Sequence, residues 1–295
     1  MTYQENYQKW LDFAELPAYL RDELVAMDEK TKEDAFYTNL EFGTAGMRGL
    51  IGAGTNRINI YVVRQATEGL AQLIDSKGEE AKKRGVAIAY DSRHFSPEFA
   101  FESAQVLAAH GIKSYVFESL RPTPELSFAV RHLHTFAGIM VTASHNPAPF
   151  NGYKVYGEDG GQMPPADADA LTDYIRAIEN PFTVQLADLE ESKASGLIEV
   201  IGENVDAEYL KEVKGVNINQ DLINEYGRDM KIVYTPLHGT GEMLARRALA
   251  QAGFDSVQVV EAQATPDPDF STVKSPNPES QAAFALAEEL GRQVG

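Results

Sequence analysis

Between residues 60 and 178 the apolar positions switch back and forth between a helical and an extended period, and the switching predicts a layered α/β unit. Val63, Ala66, Leu70, Leu73 and Ile74 fall on one helical face and predict a single long helix over 60–83. Gly85–Tyr90 is a short, almost unbroken apolar run, the pattern of a buried strand. Ser96-Pro97-Glu98 carries an N-cap, a proline and an acidic first turn, and predicts a helix to about His110 that Gly111 caps. Ile112–Phe117 predicts a strand, Pro122-Thr123-Pro124 introduces a helix to about His134, and Ala137–Val141 predicts another buried strand. Strand, helix and strand joined by short connections imply a mainly parallel sheet covered by helices.

The flanks extend this picture. Residues 3–38 read as helical, with Tyr7, Trp10, Leu11 and Phe13 on one stripe and a second helix that Pro17 starts and that runs through Leu24 and Met27. Trp10, the single tryptophan, is assigned to packing. Gly152–Tyr156 predicts a second short strand after the 137–141 run, and 166–178 a helix. Residues 181–196 lack periodicity and read as a linker. A second α/β unit is expected from Leu197, with helices over 206–213 and 220–226, a strand at 230–234, a helix at 242–252, a strand at 254–260 and a last helix over 279–293. The division is thus 1–190 and 197–295, two three-layer α/β/α domains with mixed, mainly parallel sheets.

Charge narrows the partners. The 295 residues include 26 Lys and Arg against 44 Asp and Glu, a net charge of −18. Such a chain repels nucleic acid and anionic membranes outside a local basic pocket. No cysteine is present, which removes disulfides and thiolate metal sites. The N-terminus lacks a basic-then-apolar leader, and no apolar run approaches membrane-spanning length, so a cytoplasmic protein is expected.

Candidate chemistry gathers at residues 141–156. The 137–141 strand stops at a small-residue and proline cluster, Thr142-Ala-Ser-His-Asn-Pro147, that cannot continue a sheet ladder. Ser144 therefore lies just past a strand's C-terminal end, where open α/β sheets place ligand crevices, and Lys154 on the next strand is expected to point back at the same rim. The Gly-x-Ser-x-Gly elbow of esterases is absent, and His145, adjacent in extended backbone, is expected to point away from Ser144. A serine carrying a phosphoryl group fits the surrounding cation, imidazole and amide donors. A polar turn with Ser144 as the N-cap of the next element fits too, and chemistry alone leaves both open. Asp91 and Arg93, at a strand end, read as an ion pair that fixes a loop. Leu40–Thr55 carries five glycines, able to turn tightly or approach an anion. Thr235-Pro-Leu-His-Gly-Thr-Gly241, between a strand and a helix, can bind anions through free amides but is not a P-loop.

Thr142–Pro147 followed by Asn151-Gly-Tyr-Lys154 resembles the phosphoserine loop of the α-D-phosphohexomutases, the phosphoglucomutase and phosphomannomutase family. Gly43-Thr-Ala-Gly-Met-Arg-Gly49, Pro236-Leu-His-Gly-Thr240 and Pro276-Asn-Pro-Glu279 resemble further segments of that family. The resemblance implies that Ser144 carries a phosphoryl group, exchanges it with hexose 1- and 6-phosphates through a 1,6-bisphosphate, and binds Mg²⁺ through a phosphate oxygen. It implies proton transfer or electrostatic support at the sugar hydroxyl for Arg48 and Lys154, and loop orientation or phosphate contact for His145. His238 is implied to structure the junction of the two domains. Sugar phosphates are the implied partners, with the hexose 1,6-bisphosphate as activator, and the form of the Gly43–Gly49 segment favours glucose over mannose.

The same resemblance spans only the first half of the family's four-domain architecture. Its metal loop, Asp-x-Asp-x-Asp-Arg, its sugar loop and its phosphate-clamping domain would follow Gly295, and Asp267 and Asp269 have no third aspartate and arginine after them. The chain is therefore expected to be the N-terminal part of a longer mutase, its second domain incomplete, partnered by the C-terminal domains of the same parent and inactive alone. The rival expectation is a non-catalytic module that binds phosphosugars or another protein with the same fold.

Overall fold

The computed structural model describes residues 2–43 and 46–295. Three helices open the chain: α1 (Tyr3–Asp12), α2 (Ala18–Ala26) and α3 (Glu29–Phe36). Thr2 and Glu5 close a reciprocal capping box on α1, and Asp28 caps α3 through Thr31 N–H. Trp10 is buried edge-on against Phe36, Tyr61 and Phe182, so its role is packing, as expected.

The first sheet is built from β1 (Met47–Leu50), then, after α4 (Ile60–Lys77) and α5 (Glu79–Arg84), from β2 (Val86–Tyr90). α6 (Ser96–Ala109), β3 (Ser114–Phe117), α7 (Thr123–His132), β4 (Ala137–Val141) and β5 (Phe150–Tyr156) follow, then α8 (Pro165–Ala177), α9 (Leu189–Ala194) and β6 (Ile198–Ile201). Strand order is β1-β5-β4-β2-β3-β6. The four strands β4, β2, β3 and β6 run parallel, and β5 is antiparallel to both β1 and β4. Alternation along each strand divides two cores. Val86, Ile88, Tyr90, Ile139, Val141, Tyr153 and Val155 join the core beneath α4 and α6. Ala87, Ala89, Met140 and Tyr156 join the core beneath α7.

Four sequence expectations are corrected here. The helix over 60–83 is two helices, because Gly78 sits at φ 90°, a conformation glycine supplies and a continuing α-helix cannot use. Ser96 is not an N-cap: Phe95, left-handed at φ 64°, precedes the helix, and the Ser96 hydroxyl donates to Asp91 instead. The second unit is expected from Leu197, but residues 198–201 form a strand that pairs with β3 in the first sheet, register Ser114 with Ile198 through Phe117 with Ile201. The aperiodic stretch before it contains α9, whose Asp188 cap accepts Glu191 N–H.

The rest of the chain forms α10 (Glu203–Gly215), α11 (Gln220–Tyr226), β7 (Ile232–Tyr234), α12 (Glu242–Ala252), β8 (Val257–Val259) and α13 (Ala285–Val294). β7 and β8 make a two-stranded parallel sheet. No helix among the described residues is long and apolar enough to cross a membrane. Helix α10 is bolted to the first sheet by a buried charge pair. Arg121, after β3, donates from Nε and Nη2 to both oxygens of Asp206, at 2.8 and 2.9 Å. Arg247 of α12 clamps Glu203 of α10 in the same forked manner, at 2.8 and 2.6 Å. Glu125 of α7 lies fully buried beside this pair, with no hydrogen-bond partner on either oxygen. Arg121 Nε stands 3.7 Å from it but is already committed to Asp206, so Glu125 is held as the neutral acid. Burial, and then Asp206, push its pKa up to about 9.

A titration follows from that proton. Folded Glu125 keeps it to about pH 9, whereas the unfolded chain releases it near the ordinary 4.5, so this group stabilises the fold most at low pH. Its contribution is expected to decline as pH rises from about 4.5 to about 9 and to flatten above. Glu125→Gln, which cannot ionise, should remove that slope in urea denaturation between pH 6 and 9.5. Parallel pH profiles for the two proteins would refute the buried neutral acid.

Candidate functional site

The C-terminal ends of β2, β3 and β4 meet at one edge of the sheet, and the loop 142–149 leaves from there. Its shape is dictated by one side chain. Arg93 is buried and points into the loop's backbone: Nη1 donates to the carbonyls of Pro147 and Phe150, and Nη2 to those of Ser144 and Asn146, at 2.6–2.9 Å. Nε stands 3.2 Å from Asp91 Oδ2, an ion pair without hydrogen-bond alignment. The Asp91–Arg93 pair expected to fix a loop does so.

Asp91 is the second anchor. Its Oδ1 accepts from Arg93 N–H and the Ser96 hydroxyl, and its Oδ2 accepts from the Thr142 hydroxyl at 2.6 Å. Burial pushes the carboxyl upward, while Thr142, Arg93 and Ser96 pull it back. Thr142 passes the constraint on, accepting Ser144 N–H on the same hydroxyl at 2.8 Å. Asn151, also buried, donates to the His94 carbonyl and the Ser96 hydroxyl and accepts Gly152 N–H. The loop is therefore held from beneath by Asp91, Arg93, Thr142 and Asn151.

Held so, the backbone at Ser144 turns left-handed, φ 58°, and its side chain is exposed. No helix follows it, so the N-cap reading falls away. The turn also removes the ground for expecting His145 to point away: Ser144 Oγ lies 3.5 Å from His145 Nδ1, the outer limit of a hydrogen bond. Arg48, exposed on β1, donates to Asn146 Oδ1 at 3.0 Å. Lys154 stands on β5 opposite Met140, half-buried, with no carboxylate within ion-pair distance among the described residues. Burial, and then the nearby Arg48 charge, lower its pKa. Of the sequence-picked residues, Ser144, His145 and Arg48 thus share one loop system, and Lys154 flanks it through the β4–β5 pairing.

In the glycine-rich 40–55 stretch, Gly46 serves close backbone packing. A Cβ on Gly46 would fall 2.2 Å from the Tyr153 carbonyl and 2.8 Å from Lys154 Cα, so the turn lies flush on β5. Thr44 and Ala45 of that motif lie outside the described residues. In the 235–241 turn three amides are engaged: Leu237 N–H donates to Thr235 Oγ1, His238 N–H to the Gln263 carbonyl and Gly239 N–H to the Pro236 carbonyl. His238 is buried, with Nδ1 on the Thr265 carbonyl and Nε2 on Thr272 Oγ1.

That histidine pins a loop, 265–272, which reaches across to the first unit. Phe270 lays its ring over Arg93, 5.0 Å from the guanidinium carbon, and Asp269 meets His94 at 2.8 Å. Neither Phe270 nor His94 drew notice in the sequence, where the loop shows only as a proline-rich spacer. Between the units lies a cleft of about 420 Å³, with Thr142, Ser144 and His145 on one wall and Thr235, Gly239 and Thr240 on the other. Asp267 and Asp269 offer no metal site. Asp267 caps its own turn, accepting Asp269 N–H and Ser271 N–H, and Asp269 is taken by His94. Among the described residues no three His, Asp or Glu side chains converge to hold a metal ion.

Two family models match the chain: phosphoglucomutase/phosphomannomutase alpha/beta/alpha domain I over residues 39–182, and domain II over 207–295. The phosphoglucomutase of Staphylococcus haemolyticus is 41% identical over 289 residues, and that of Staphylococcus epidermidis 38% over 286. These matches cover 96% and 97% of the chain, which spans about half, 50%, of each relative's length. A solved phosphoglucomutase/phosphomannomutase family protein from Burkholderia thailandensis superposes with a TM-score of 0.60 at 19% identity, over 84% of this chain and 49% of its own. At that identity the superposition speaks for the fold.

Arg93→Met is expected to cost about 3–5 kcal/mol, because it strands a buried carboxylate and several carbonyls at once. Urea denaturation measures this, and a loss below about 1 kcal/mol would mean that the arginine does not hold the loop.

Proposed function

Since the chain belongs to the phosphoglucomutase/phosphomannomutase family, we propose that it supplies the phosphoserine half of a hexose-phosphate mutase, with glucose phosphates as substrates. The observation that carries this reading is the presentation of Ser144. Its carbonyl and N–H are both tied down, while its exposed hydroxyl, with only His145 Nδ1 at the limit of a hydrogen bond, lines a cleft between the units. A group that must give and receive a phosphoryl needs a fixed backbone and an open oxygen.

In the proposed cycle the bond between phosphorus and Ser144 Oγ breaks as phosphorus bonds to a free hydroxyl of a hexose monophosphate. The hydroxyl proton passes to Lys154, whose lowered pKa leaves more neutral amine to accept it. Ser144 Oγ, protonated from solvent as it departs, gives that proton up again once the bisphosphate has turned over within the cleft and the other phosphoryl returns to it, and Lys154 returns its own proton to the sugar oxygen left behind. Arg48, fixed through Asn146, opposes the charge that builds on the transferring oxygens. His145, next to Ser144 Oγ, donates to a phosphate oxygen. The described residues do not by themselves form a site for Mg²⁺, so no step here runs through one.

A full-length protein carrying this sequence, incubated with glucose 1,6-bisphosphate and digested, should yield a phosphopeptide modified at Ser144. Label on Thr142, or none, would sink the assignment. Given glucose 1-phosphate with the bisphosphate, the full-length protein is expected to form glucose 6-phosphate and the 295-residue chain none.

Arg48→Ala and Lys154→Ala in the full-length protein should each lower kcat on the order of 10²–10³-fold, the usual loss when one preorganised charge contact is removed. Melting temperatures near that of the parent are expected, since neither side chain sits in a core cluster. Near-normal turnover in both variants would overturn the cationic-pocket mechanism.

A further inference from the structure

The geometry points to Phe270 as a positioning residue: the second unit sets the conformation of the Ser144 loop by pressing this ring on Arg93. The inference rests on the proposed role of Ser144, which the serine loop's own structure does not require. A guanidinium binds through hydrogens that all lie in its plane. In Arg93 both Nη groups are spent on four loop carbonyls, Ser144, Asn146, Pro147 and Phe150. Those bonds resist sliding within the plane but do little against tilting out of it. Nε faces Asp91 at the plane's remaining edge, and of the two faces of the plane Phe270 covers one.

The ring also seals the charge. Phe270 is 5% exposed and lines the cleft. With it in place, water in the cleft is kept from that face of the guanidinium, and the four charge–carbonyl bonds act in a low dielectric. Without it, the same bonds would compete with solvent.

The loop that carries Phe270 is built to present it. Phe270 takes φ 50°, a conformation that a bulky residue adopts only when its surroundings impose it. Asp267 imposes it from one side, accepting Asp269 N–H and Ser271 N–H, with Phe270 N–H donating to the Asp267 carbonyl. His238 imposes it from the other, holding Thr265 and Thr272 at the two ends of the loop. Gln263 and Thr235 tie Thr272 back to the end of β7. A chain of contacts thus runs from β7 through His238, Thr272 and Phe270 to Arg93 and Ser144.

Hydrogen exchange read by peptide mass spectrometry tests the inference on the 295-residue chain. Phe270→Leu keeps apolar bulk without a ring face, Phe270→Tyr keeps the ring, and Asp267→Ala frees the turn that presents it. Phe270→Leu and Asp267→Ala should speed exchange in the 143–150 peptide about tenfold, the size of one desolvated cation–π contact, while Phe270→Tyr matches the parent. The β2 and β4 peptides should stay protected in all three. Unchanged exchange at 143–150, or equal loss in the strand peptides, would overturn the proposal. In the full-length protein, Phe270→Leu should slow Ser144 phosphorylation by glucose 1,6-bisphosphate about tenfold and Phe270→Tyr restore it. An unmodified serine in the parent itself would defeat the functional reading and leave the exchange result to decide the role of Phe270.

Discussion

One buried guanidinium organises this molecule's working edge. Arg93 sits where a charge is costly, and it is tolerated there because both Nη groups bond to carbonyls and Nε stands beside the Asp91 carboxylate. The destinations are four backbone carbonyls, those of Ser144, Asn146 and Pro147 in the loop and of Phe150 where β5 begins. Lysine could not substitute, since a point charge with three donors cannot fork across carbonyls six residues apart in sequence. The left-handed serine, the exposed hydroxyl and the approach of Asn146 to Arg48 are all consequences of that fork.

Much of this was readable in the chain. The uninterrupted apolar runs of β2 and β4 declare central strands buried on both faces, and they are. The break at Thr142–Pro147 marks the rim, and the spacing of Asp91 and Arg93 at another strand end anticipates their pairing. What escaped depends on partners distant in sequence. β6 is four residues long and mostly apolar, and nothing local says that it joins β3 and not β7. Ser96 has every residue signal of an N-cap, but its hydroxyl is drawn off by Asp91. The glycine-rich segments could serve either a ligand or a neighbouring backbone, and only packing reveals that Gly46 needs room for β5. Phe270 illustrates the limit best: an isolated aromatic among prolines carries no period, and its partner lies in the other unit.

The two units differ in how firmly they are made. The first encloses β2 and β4, buried along their whole length, between two apolar cores. The second rests on a pair of three-residue strands that stay half-exposed, and it meets the first through polar links: Arg121 with Asp206 and His94 with Asp269. Hydrophobic burial tolerates small slips, whereas forked charge pairs hold only one alignment. The second unit is thus indexed to the first by geometry-specific contacts, which suits a wall of a cleft whose width matters.

The left-handed backbone at residue 144 narrows which amino acid can occupy it. Threonine offers the same nucleophilic oxygen, but its second branch at Cβ crowds the carbonyl when φ is positive, and such residues are genuine outliers there. The Arg93 fork leaves the loop no slack to relax into another basin. A change that sequence comparison scores as the mildest possible is therefore a steric exclusion at this position. The choice between two alcohols that chemistry regards as near equals is made by a torsion angle.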